Sequence, residues 1–138
     1  MVHFSQIRRR LPTTRKAYTH RVVIAGKYKV YIRLGLYPLA CPWGYDPGLQ
    51  PGEVFIDMEE AGSSLHGLAD SWSIAISLLL QASYTAEELC GKFAYQKFPP
   101  AGMTDNPEIR TAHSIPDYVA RWIFLLVRGV TWEEFTCR

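Results

Sequence analysis

The stretch HRVVIAGKYKVYIRLGL, residues 20–36, carries the reading of the fold. Apolar and polar residues alternate on both sides of Ala25 and Gly26, which predicts strands over 20–24 and 28–36 joined by a tight turn. In the second strand Tyr28, Val30, Ile32 and Leu34 share one face, and Lys29, Tyr31 and Arg33 share the other. The segment that follows, PLACPWGYDPGLQPG, holds four prolines and three glycines in fifteen residues and reads as loop. Residues 53–58 then form a third strand, with Val54, Ile56 and Met58 inward and Phe55 and Asp57 outward. Pairing of the second and third strands would set Lys29, Tyr31 and Arg33 beside Phe55 and Asp57.

Beyond the strands the periodicity becomes helical. Residues 65–81 predict a long helix with Ser63 or Ser64 as its N-cap. Leu65, Leu68, Trp72, Ile76 and Leu79 make one stripe, and Ile74, Leu78 and Leu80 spread the apolar surface further, as in a central or interface helix. Thr85 to Glu88 match a capping box and open a shorter helix ending near Phe93. Residues 99–107 read as loop. Ser114 then precedes a heavily apolar helix with Pro116 and Asp117 in its first turn, ended by Gly129, and a capped turn follows over 131–135. Strands followed by greasy helices imply an α+β domain of two layers: an antiparallel sheet of at least three strands against two long apolar helices and shorter ones. One domain accounts for residues 1–138, with a basic arm over 1–17 and the Pro/Gly-rich loop over 37–52. So much apolar helix surface predicts a homodimer or a dimer of dimers.

A formal charge of +2 is too small by itself to argue for nucleic acid, although Arg8, Arg9, Arg10, Arg15 and Lys16 make the arm locally basic. Such an arm reads as a solvated tail, with phosphate contact as its functional alternative. No apolar run has the roughly 18 residues of a membrane span, so no membrane partner and a cytoplasmic location are expected. Cys41, Cys90 and Cys137 lack ligand spacing, and His3, His20, His66 and His113 are scattered, so neither a zinc site nor a catalytic triad is indicated. Enzymatic activity and a cofactor are not expected of this chain.

Residues 92–122, KFAYQKFPPAGMTDNPEIRTAHSIPDYVARW, together with residues 8–33 and 52–81, resemble the TSCPD domain, the C-terminal region of adenosylcobalamin-dependent (class II) ribonucleotide reductases. The naming motif falls on His113, Ser114, Ile115, Pro116 and Asp117, keeping serine, proline and aspartate. The Ser-Ile-Pro-Asp-Tyr form resembles that of the cobalamin-dependent branch. The resemblance implies that radical chemistry belongs to a barrel N-terminal to this region, here absent, so that the domain is free-standing. It also implies that the loop over 37–52 is an insertion, in which Trp43 and Tyr45 are either packed down or form a lid. Members of the family commonly carry a redox cysteine pair near the C-terminus, which Cys137 alone cannot supply.

The expected function is a non-catalytic nucleotide-binding accessory or regulatory domain, whose expected partners are a nucleotide or nucleotide-like small molecule and a separate reductase catalytic subunit. Candidate ligand-binding residues are Lys29, Tyr31 and Arg33 on the outward sheet face, where rings and cations suit a base and phosphates. Ser63 and Ser64 at one helix start, and His113 and Ser114 at another, could hold an anion on free N–H groups. Arg10 and Lys16 complete the set. For each serine the plain alternative is a helix cap, and for the sheet residues a solvated face. Two further readings are a protein that sequesters nucleotide signals, of a phage or bacterial counter-defence type, and a nucleic-acid-binding domain acting through the basic arm.

Overall fold

A computed structural model describes residues 8–38, 49–59 and 63–128. Trp43, Tyr45, Cys41, Cys137, Gly129 and the expected turn over 131–135 lie outside these. The described elements run β1 (Ala17–Ile24), β2 (Tyr28–Leu36), β3 (Pro51–Met58), α1 (Ser64–Gln81), α2 (Ala86–Phe93), β4 (Gly102–Met103), β5 (Thr111–Ala112) and α3 (Ile115–Arg128). The architecture is α+β, with an antiparallel sheet in the order β1-β2-β3 and a separate small ladder, β4-β5.

The hairpin register sets Ile32 opposite His20 and Val30 opposite Val22. Its turn has both Ala25 and Gly26 at positive φ, closed by Lys27 N–H donating to the Ile24 carbonyl at 3.2 Å. Left-handed backbone costs a residue with a Cβ about 1–2 kcal/mol. At Ala25 this is offset by its N–H, which donates to the Met103 carbonyl at 2.8 Å. The strands reach further than alternation predicts: β1 starts at Ala17 and β3 at Pro51. Pro51 is tolerated because it lies at an irregularity of register in an edge strand.

Val22, Ile24, Val30, Ile32, Leu34, Val54 and Ile56 point inward and meet Ile76, Ile115, Tyr118, Val119 and Ile123 in the core. The central helix is α3, buried from Ile115 to Leu125 apart from Pro116. By contrast α1, expected to be either central or at an oligomer interface, is not the central helix and lies along β3. Its buried stripe is Ala69, Ser73, Ile76 and Leu80, one position round from the expected one, and Leu68 is 71% exposed. The small residues explain the rotation, because they let the helix approach the edge strand closely. Ser77 Oγ accepts from Val54 N–H at 2.9 Å and lies 3.1 Å from the Val54 carbonyl, and Gln81 Nε2 donates to the Gly52 carbonyl. The free edge of β3 is thereby sealed. Part of the β1 edge is sealed too, by Asp105, whose carboxylate accepts from Val23 N–H at 2.8 Å.

Ser63 caps α1 by accepting from His66 N–H, and Thr85 and Glu88 form the expected capping box of α2. The β4-β5 ladder falls within and beyond the stretch expected to be loop. Two-residue strands carry too little pattern to be seen in sequence.

Candidate functional site

The SIPD motif builds an interior ion pair. Asp117 is fully buried, and Arg121, one turn on, donates to it through Nε at 2.9 Å and through Nη2. The same carboxylate accepts from His113 N–H at 2.8 Å and from Tyr95 N–H, while Arg121 also reaches the Thr111 carbonyl. Ser114 caps α3: its hydroxyl accepts from Asp117 N–H and donates to the Gln96 carbonyl, and it has no exposed surface. The His113 ring packs beside Tyr95 at 5.5 Å. This corner spends its polar groups on holding the Tyr95 turn and the start of α3 together. Cys90 lies within the electrostatic reach of Asp117 and Arg121, and burial pushes its thiol up to about 11.

A second polar cluster tops the core under β1. His20 Nε2 is 2.8 Å from the Tyr118 hydroxyl, and Asn106 Nδ2 donates to that hydroxyl at 2.9 Å. The imidazole stacks on Trp122, with centroids 5.1 Å apart. Burial lowers the His20 pKa, so neutral imidazole accepts from the hydroxyl; burial likewise pushes Tyr118 up to about 12.

A concavity lies elsewhere among the described residues. A cleft of about 840 Å³ opens where the arm meets the sheet end, lined by Arg15, Lys16, Tyr18, Leu36, Tyr37 and Gln50 among others. A smaller one of about 320 Å³ adjoins it, sharing Tyr37, Leu49 and Gln50. Over its described part the arm is strapped down rather than a solvated tail. Arg8 Nε donates to Gln81 Oε1 at 2.7 Å, Leu36 N–H donates to the Lys16 carbonyl at 2.9 Å, and the Arg9 guanidinium stacks 3.8 Å over the Tyr37 ring. Arg15 makes a two-pronged bond to Glu53, its Nη2 2.9 Å from Oε2, and this bond raises the Arg15 pKa. Glu53 lies flat over Gly35, where an added Cβ would come within 2.4 Å of its carboxylate. Cation, ring and amide thus converge on a space within the size range of small-molecule sites.

On the outer face, Tyr31 stands opposite Asp57 and Arg33 opposite Phe55, as the strand pattern predicts. The Arg33 guanidinium sits 4.5 Å over the Phe55 ring, and Lys29 pairs with Glu59 at 3.4 Å. Ser63 and Ser64 approach this face at one corner, where His66 Nε2 is 3.1 Å from Asp57. His113 and Ser114 belong to the helical layer, across the sheet from Lys29, Tyr31 and Arg33. Lys16 lines the cleft, and Arg10 lies exposed in the arm. The nine candidates therefore fall into five places. Tyr18, Tyr37, Arg15 and Gln50 were missed, though carrying the alternation out past His20 would have put Tyr18 on the inward side of the sheet end.

Among the described residues no helix is long and apolar enough to cross a membrane. Residues 6–126 match the TSCPD domain. The chain is 40% identical over 116 residues to a vitamin B12-dependent ribonucleotide reductase of Rhodopirellula baltica, covering 84% of this chain and 10% of that protein. The enzyme of the same name from Streptomyces avermitilis is 39% identical over 125 residues, covering 91% of this chain and 12% of its own length. That from Bradyrhizobium diazoefficiens is 39% identical over 115 residues, covering 83% and 8%. The chain thus spans about a tenth of the length of these relatives. No solved structure matches it.

Proposed function

Because the chain belongs to the TSCPD domain family, we propose that it is a non-catalytic nucleotide-binding domain with an accessory or regulatory role toward ribonucleotide reduction. The observation that carries this reading is the 840 Å³ cleft with Tyr18, Tyr37, Arg15 and Lys16 on its walls. The exposed Tyr18 ring offers a stacking surface to a base, and cations at the rim attract phosphate. Lys16 is exposed and leans on no acid in the described residues, whereas Arg15 is already committed to Glu53. Lys16 is therefore the group with charge to give, and Arg10 is the next nearest along the arm. The non-catalytic part of the reading is supported by how the reactive groups are used. His20 and Tyr118 serve each other, Asp117 serves Arg121, and Cys90 is buried with a raised pKa.

The test is a calorimetric titration and thermal-shift series with ribonucleoside and deoxyribonucleoside mono-, di- and triphosphates. A nucleotide present at 100 times its Kd should stabilise the fold by about 2.7 kcal/mol. Lys16→Ala and Tyr18→Ala should weaken that binding without lowering the melting temperature of the free protein. No heat and no shift at millimolar nucleotide would reject the reading, as would tight binding indifferent to both substitutions.

A further inference from the structure

Charge is distributed very unevenly along this chain. Nine of its fifteen Lys and Arg precede the first acidic residue, Asp46, and the other six share the remainder with all thirteen acids. The arm and the β1-β2 hairpin are thus wholly basic, and charge asymmetry of this kind points to a polyanion. The fold decides where it acts. With β-strand alternation, Thr19, Arg21 and Val23 of β1, Lys29, Tyr31 and Arg33 of β2, and Phe55 and Asp57 of β3 share the outer face of the sheet. The apolar faces of the helices meet the inward residues instead; no described helix packs over this side, and the arm crosses it at the Gly35 end, where Arg15 bonds Glu53.

Three features make this face more than a solvated surface. Tyr31 stands at its centre, flanked by Arg21 across one strand pair and diagonal to Phe55 across the other. Diagonal neighbours are about 7–8 Å apart, so the two rings are separate platforms on adjacent strands. Phe55 is 40% exposed, and the Arg33 guanidinium lies 4.5 Å over its ring, which holds that flat cation ready to stack in turn. Neither Arg21 nor Arg33 has an acidic partner among the described residues, while Lys29 is held by Glu59 at the far end and Asp57 by His66.

We infer that the outer sheet face binds single-stranded nucleic acid, with bases stacking on Tyr31 and on the Arg33–Phe55 pair and phosphates meeting Arg21 and Arg33. Stacking on rings exposed on a sheet, with cations along the backbone track, is how unpaired strands are held without base-specific contacts. A duplex keeps its bases inward and cannot use the platforms. This site is separate from the cleft and stands or falls without it.

Fluorescence anisotropy with labelled 12-mer oligodeoxythymidylate and oligouridylate, in the full chain, tests the inference. Two phosphate contacts give a salt slope near −1.4, so raising salt from 50 to 200 mM should weaken binding about 7-fold. Arg21→Ala with Arg33→Ala should flatten that slope. Tyr31→Thr, which keeps a β-branched residue in the strand, should cost about 5- to 150-fold in affinity. Lys16→Ala with Tyr18→Ala, in the cleft, should leave oligonucleotide binding largely in place. Several outcomes overturn the inference: no binding at 50 mM salt, equal affinity for a 12-bp duplex, or a Tyr31→Thr variant that binds as tightly as the parent. So does loss of oligonucleotide binding in the cleft variant alone, which would move the strand to the cleft.

Discussion

Removing the Asp117 carboxylate should be among the most damaging single changes in the domain. Asp117 has no exposed surface and Arg121 is 3% exposed, so Asp117→Ala strands a guanidinium in the interior with no counter-charge. Truncating one member of such a pair costs about 3–5 kcal/mol. The variant also orphans the N–H groups of His113 and Tyr95, which both donate to that carboxylate. Because all these partners share one group, their costs overlap and do not sum. Against a total stability of about 5–15 kcal/mol, the expected loss is about a fifth or more of the whole. For a domain of this length it corresponds to a fall of roughly 10–20 °C in Tm. Urea unfolding followed by circular dichroism and by fluorescence would give the difference directly. Asp117→Asn, which keeps an acceptor but not the charge, should lose less. The pair Asp117→Leu with Arg121→Met, which removes both charges, should recover part of the loss. A cost below about 1 kcal/mol for Asp117→Ala would refute the argument that an interior ion pair organises this corner.

The His20 pKa is lowered in the folded state mainly by burial, so the unfolded chain binds the extra proton first as pH falls. That stability is present above about pH 6.5 and is lost as pH drops through the folded value; melting curves between pH 7.5 and 5 should show it, and His20→Gln should remove that component. With Cys41 and Cys137 changed to serine, the Cys90 thiol, pushed up to about 11, should resist an aromatic disulfide reagent at pH 8 until denaturant is added. Prompt labelling would contradict its burial. Ser77→Ala removes the acceptor of Val54 N–H and should cost about 1–2 kcal/mol, with faster hydrogen exchange at the Val54 amide; unchanged exchange would mean that the hydroxyl does not seal the edge.

Much of the fold was legible because it rests on strong local patterns. The alternation through residues 20–36, the capping box at Thr85 and the Ser63 and Ser114 caps each fix an element from within a few residues. The rotation of α1 was not legible. Periodicity ranks Leu68 above Ser73 for burial, and only the contact with β3 makes the small residues the better choice there. The role of Asp117 was half visible: its place in the first turn was read, but its partner four residues on was not, although that spacing puts the two side chains on one helix face. The outer sheet face was read correctly as an assembly of Lys29, Tyr31, Arg33, Phe55 and Asp57 because register follows from alternation. The cleft was not, since it depends on where the arm returns to the sheet end.

The sealed β3 edge also bears on the order in which the chain folds. β1 meets β2, β2 meets β3 and β3 meets α1, so the sheet and the helix on its edge join elements adjacent in sequence. Loops that short cost little entropy to close, and α1 folds back over the strand that precedes it. The contact between His20 and Tyr118 spans 98 residues, so docking of α3 onto the hairpin belongs to the end of the process. Stopped-flow mixing would then show Ile32→Val slowing refolding, whereas Tyr118→Phe would mainly hasten unfolding. A segment that assembles from its own neighbours in this way can fold without waiting for distant parts of a longer chain.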